Sequence, residues 1–172
     1  MPGWCQKFYF RVNSQEEYDN PKNGYVLLER AWKVGDIVEA EFAMPPFLVE
    51  ADPRVDSVRG CVALQRGPIV YCLEEHDQEQ GVNLLDVEID PSAALTSHWQ
   101  GDLLGGVMIL EGSGSQLDPS DWPDTELYRP LVVGNKNRPS GRKVKLIAIP
   151  YYAWGNRGLK SMRVWIPYAQ AS

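Results

Sequence analysis

Three groups of side chains in this 172-residue chain are of types that can do chemistry. Cys61, Cys72 and His76 are soft-metal ligands close together in sequence. A structural zinc site takes four ligands at compact spacing, and a fourth has no candidate here. Free cysteine is among the most buried residue types, so Cys61 and Cys72 read as strand residues and His76 as a loop residue. A Cys–His nucleophile pair also lacks a group to orient the imidazole. Asp118, Asp121 and Asp124 stand three apart in DPSDWPD and offer oxygen ligands for calcium. Two prolines and the habit of Asp to bond its own backbone explain that spacing better as a turn. Glycoside hydrolysis needs two carboxylates across a cleft, and nothing in the spacing selects a pair. No catalytic residue and no metal ligand is therefore assigned.

The third group is Tyr151, Tyr152 and Trp154, followed by Asn156 and Arg157. Aromatic faces stack on sugar rings, and Asn and Arg hydrogen-bond hydroxyls, so these five residues are the candidate carbohydrate site. Sandwich cores use Tyr and Trp as heavily, because each buries a large area while its polar tip finds a partner. Packing is the leading reading: the cluster lies between two apolar strands, where the last hairpin must turn.

The elements that would position these groups are strands. Gly60 to Glu75 is the densest stretch, two short apolar runs separated by Gln65-Arg66-Gly67-Pro68. Each reads as a largely buried strand, and Gly-Pro marks the break between them. Phe8, Phe10 and Val12 alternate with Tyr9 and Arg11 up to Asn13-Ser14; a polar loop follows to Asn23. GYVLLER at residues 24–30 is expected to be a strand, and Lys33–Asp36 a tight turn. Val38, Ala40 and Phe42 alternate with Glu39 and Glu41, which predicts a buried face and a wet one. Phe47–Ala51 adds one more strand. Leu85, Val87 and Ile89 predict a further one-faced strand, and Pro91–Ser97 one helical turn capped by Asp90. Gly105-Gly106 is a permissive turn into VMIL. Glu111–Ser140 is the least regular part. Val144, Leu146 and Ala148 alternate again, and MRVWIP closes the pattern. Some ten strands with negligible helix predict an all-β, antiparallel β-sandwich or jelly-roll-like fold.

Composition narrows the partners. The net charge is −6 with no basic block, so a nucleic-acid partner is not expected. No apolar run reaches the length of a membrane span, and no signal-peptide pattern opens the chain. Three irregularly spaced cysteines are no disulfide framework, which suggests a reducing, cytoplasmic setting.

MPGW at residues 1–4, RVN at 11–13, GYVLLERAWKVGD at 24–36, VALQRGPIVYCLEE at 62–75, LLGGV at 103–107, and AIPYYAWGNRG at 148–158 with MRVWIP at 162–167 occur in this order. Together they resemble the C-terminal part of glycoside hydrolase family 127, the β-L-arabinofuranosidase family. The resemblance implies catalysis in a large α/α barrel N-terminal to this region, with a cysteine nucleophile and a zinc held by cysteines and a glutamate. None of those motifs occurs here, so no cofactor is expected in this chain and no such role passes to Cys5, Cys61 or Cys72. It also implies two sandwiches, residues 1–52 closing the first and 53–172 forming the second, with 162–167 a candidate to return to the first. The expected function is a non-catalytic accessory module, its partner the barrel of the same polypeptide. Carbohydrate and a homodimer contact are the further partners considered.

Overall fold

The computed structural model describes residues 2–5, 7–17, 21–118, 128, 130 and 141–168. Asp121 and Asp124 of the DPSDWPD motif lie outside them. The described residues form antiparallel strands joined by turns, and their helical pieces are three-residue 3-10 turns. The chain divides into two compact units, Met1–Pro45 and Pro46–Ser172.

The first unit is a three-stranded sheet in the order β2-β1-β3, from β1 (Phe8–Val12), β2 (Gln15–Glu17) and β3 (Val38–Phe42). Asn13 and Ser14 both have positive φ, 51° and 65°, the backbone of a two-residue hairpin whose twist matches its strands. The residues expected to be loop after Ser14 therefore begin with a strand. The register puts Phe8, Phe10 and Val12 opposite Phe42, Ala40 and Val38, so the alternating face exists as expected. Trp4 and Phe10 both meet Phe42 edge-on. The burial expected along that face stops short of β3. Val12 is fully buried, but Val38 is 47% exposed because it sits at the end of an edge strand. Asn13 ties the hairpin to the Lys33–Asp36 turn, donating to Asp36 Oδ1 at 2.8 Å and accepting from Ile37 N at 3.0 Å. GYVLLER is not a strand: apart from a Lys22–Tyr25 bridge it has no ladder partner among the described residues. Tyr25 and Leu27 are 79% and 68% exposed.

The second unit is a nine-stranded sheet of β4 (Pro46–Glu50), β5 (Cys61–Arg66), β6 (Ile69–Glu74), β7 (Val87–Ile89), β8 (Thr96–Gln100), β9 (Val107–Gln116), β10 (Arg142–Pro150), β11 (Met162–Arg163) and β12 (Ile166–Pro167). Its main path is β12-β5-β6-β10-β9-β7, with β4 on β5, β11 on β6 and β8 on β9. β5 and β6 are the hairpin read from Gly60–Glu75, turning at Gly67 with Gln65 Nε2 donating to Gly67 O at 2.8 Å. An Ile89–Tyr168 bridge links the two ends of the path, so the sheet curls onto itself. The boundary expected at 52 falls instead at Pro45/Pro46, because β4 pairs with β5 along its whole length. β11 and β12 likewise pair with β6 and β5, inside this unit.

Neighbouring residues of one strand go to different apolar clusters, which places the clusters on opposite faces. Leu64, Tyr71, Leu73, Val87, Ile89, Leu110, Val144, Leu146 and Ile166 fill the inside of the curl. Cys72, Val107, Ile109 and Ile149 lie outside, where Ala153 covers them. Three local expectations give way. Leu84–Asp86 is a 3-10 turn, not strand, because the Asn83 side chain accepts from Leu85 N; Leu84 turns in and Leu85 out. Asp90 caps a tight turn through Ser92 N (2.9 Å) and Oγ (2.6 Å), not a helical one, and β8 follows. Glu111–Gln116, expected to be irregular, continues β9.

Candidate functional site

β10 ends at Pro150, and the chain then crosses the outer face of the sheet as a loop before returning as β11. Tyr151–Ala153 form one 3-10 turn, closed by Trp154 N donating to Tyr151 O at 3.2 Å. That turn points Ala153 inward and the aromatic side chains outward. Gly155 and Gly158 have φ of 80° and 101°, so the backbone reverses at two positions where a side chain would be strained.

What holds the loop is charge. Glu74 shares the outer face with Cys72, and its side chain is 0% exposed. A carboxylate there needs a partner. Arg157 supplies it: Nη2 donates to Glu74 Oε2, while Nη1 and Nη2 grip Asp77 Oδ1 and Oδ2, each at 2.6 Å. The two hydrogen-bonded carboxylates, Asp77 first, hold the guanidinium cationic against the desolvation that opposes it. Gly155 N adds a long 3.4 Å donation to Glu74 Oε1. Farther along, Lys160 Nζ and Ser161 N both reach the Glu75 carboxylate, at 3.1 and 3.3 Å. These hydrogen bonds lower the Glu75 pKa, Lys160 contributing most. Gln78 locks the base, donating to Glu74 O (2.9 Å) and Ile147 O (2.8 Å).

The candidate sugar residues thus separate into two sets. Asn156 donates to Ala153 O at 2.9 Å and Arg157 is held by Glu74 and Asp77, so both serve the framework. Tyr151, Tyr152 and Trp154 are on the surface, Tyr152 69% and Trp154 38% exposed, against the expectation that they pack the module together. The packing is done by their neighbours Ala153, Met162 and Val164. The Tyr151 and Trp154 rings are nearly parallel, 10° apart with centroids at 6.4 Å. Leu159 is almost wholly exposed on the same loop.

The cysteine and histidine candidates are placed as strand and turn residues. Burial, then the fields of Glu74 and Asp77, push the Cys72 thiol up to about 12, so it is neither a thiolate nucleophile nor a ready metal ligand. Cys61 is half-buried and His76 exposed. Among the described residues no three His, Cys, Asp or Glu side chains converge on a metal position. The best-defined carboxylate elsewhere is Glu111 on β9, whose Oε1 meets Lys145 Nζ at 2.6 Å and His98 Nε2 at 2.9 Å. Lys145 foremost lowers its pKa, the wrong direction for a general acid. Glu74, Asp77, His98 and Glu111 carry no sequence signal, since their partners come from strands brought together only by register.

Two units of antiparallel strands joined by turns define an all-β, sandwich-type region. Comparison with known proteins makes this particular. Residues 46–167 match the family model described as glycoside hydrolase family 127 C-terminal domain, and residues 1–44 that of the GH127 β-L-arabinofuranosidase middle domain. The chain belongs to glycoside hydrolase family 127. A non-reducing end β-L-arabinofuranosidase of Bifidobacterium longum subsp. longum is 34% identical over 173 residues, covering 96% of this chain and 25% of that protein. The crystal structure of a GH127 β-L-arabinofuranosidase from Geobacillus stearothermophilus T6 matches with TM-score 0.81 and 42% identity, over 98% of this chain and 26% of that one. A further GH127 β-arabinofuranosidase structure matches at 0.75 and 32%, over 95% and 23%. The chain spans about a quarter of the length of these relatives.

Proposed function

We propose that this chain is a non-catalytic accessory module of a β-L-arabinofuranosidase-like glycoside hydrolase, packed against a catalytic α/α-barrel domain that carries the chemistry. The observation behind this is the surface of the first unit. Tyr25, Leu27, Val34 and Ile37 are exposed along a segment that, after Tyr25, has no strand partner among the described residues. An isolated soluble domain rarely leaves so much apolar surface open, and such patches mark contact surfaces. Among the described residues a zinc site does not fit: Cys72 is buried with a raised pKa, and the acidic, thiol and imidazole groups do not converge. The family resemblance implies that the zinc and the cysteine nucleophile belong to the barrel. The test is association. A family 127 arabinofuranosidase truncated to remove the region this chain matches is mixed with the chain and sedimented. Co-sedimentation, lost in Leu27→Asp, is the expected result, and independent sedimentation of the two overturns the docking.

A second reading is favoured by one feature of the other unit: carbohydrate held on Tyr151, Tyr152 and Trp154. The nearly parallel, solvent-facing rings of Tyr151 and Trp154 support it.

A further inference from the structure

We propose that the 151–161 loop is a preformed stacking site for the apolar face of a neutral sugar ring, with Tyr151 and Trp154 touching the sugar and Arg157 acting only as a positioning residue. The proposal rests on the carbohydrate reading above and deepens it by dividing the roles and naming the ligand's charge. Three observations carry it. First, the two rings are stacked nearly parallel and partly open to solvent, so a flat C–H face can lie against the outward side of the pair in a defined direction. Second, their backbone is fixed before any ligand arrives. Ala153 is buried in the outer cluster, and the loop is pinned at Gly155, Arg157, Lys160 and Ser161 to Glu74, Asp77 and Glu75. A site ordered in advance loses less entropy on binding.

Third, the local charge selects the ligand. Arg157 and Lys160 bring two positive charges to the loop, and Glu74, Glu75 and Asp77 bring three negative ones already bound to them. No net cation is left to draw an acidic glycan, and the surplus charge is negative. With Asn156 and Arg157 withdrawn, the polar handles left on the platform are the tyrosine hydroxyls and the Trp154 indole N–H. Such a site recognises the face of a neutral sugar more than the pattern of its hydroxyls. Its affinity is therefore modest and nearly independent of salt.

The experiment is affinity electrophoresis of the 172-residue chain in gels containing linear arabinan, with polygalacturonate as the acidic control. Melting curves and amide hydrogen exchange are recorded on each variant. The wild type is expected to be retarded by arabinan and not by polygalacturonate. Trp154→Ala is expected to melt near the wild type and lose at least tenfold in retention. Arg157→Lys, which keeps the charge but not the two-carboxylate grip, is expected to speed exchange at Trp154 and Gly155 about tenfold and weaken retention in step. Absence of wild-type retardation sinks the carbohydrate reading itself. Retention unchanged in Trp154→Ala leaves that reading standing and overturns this site. Loss of retention in Arg157→Lys with unchanged loop exchange makes Arg157 a sugar contact and overturns its positioning role. Equal retardation by polygalacturonate overturns the choice of a neutral ligand.

Discussion

Arg157 reaches under its own loop to two carboxylates, one of them sealed from solvent. Removing a single member of such a set leaves a charge buried without compensation, which costs about 3–5 kcal/mol. Arg157→Ala is expected to lose that much in a denaturant titration. Trp154→Ala should cost less than about 2 kcal/mol, well below the about 3–5 kcal/mol of an aromatic lost from a core, because its ring is on the surface. Cys72 should stay a thiol at any ordinary pH, so iodoacetamide at pH 8 should label Cys61 long before Cys72, as peptide mass mapping would show. The aromatic types and the glycines around Asn156-Arg157 were legible in the sequence, and so was the turn they make. The direction of each side chain was not. Glu74 follows the apolar run Ile69–Leu73 and its type gives no sign of burial, whereas the fold makes it the buried anchor of a segment some eighty residues away.

At the scale of elements, strands with strict alternation were readable and short ones governed by a single side chain were not. Val144, Leu146 and Ala148 are buried as their period requires, and the Gly67-Pro68 hairpin turns where the break predicts. Leu85 fails the same test because Asn83 bends the backbone just before it. β8 escaped notice because TSHWQ has no apolar period; it is held as an edge strand on β9. Its end is fixed by Gly106, which has φ of 103°. A Cβ there would stand 2.4 Å from the Trp99 ring. Gly106→Ala is therefore expected to shift Trp99 and destabilise the second unit by about 1–3 kcal/mol, the cost of forced overpacking with backbone strain. A melting curve identical to wild type would mean that Trp99 is free to move aside.

For the whole molecule, the division into a small open sheet and a larger curled one determines where damage is felt. Val38 was expected to be buried, and a charge there would then cost several kcal/mol. With the side chain half exposed on an edge strand, Val38→Asp should cost no more than about 1 kcal/mol, and a large loss would restore the buried reading. The fold class and the family were both legible, the first from period-2 patterning and the second from motifs spread across the chain. What patterning could not supply was the unit boundary, since Phe47–Ala51 reads as a strand without saying which sheet takes it. In the proposed role this chain supports a glycosidase without performing the reaction. Incubating the purified chain with an aryl β-L-arabinofuranoside tests this most directly. Release of the aryl group at the uncatalysed rate is expected; turnover that a single substitution within the chain abolishes would overturn the accessory role.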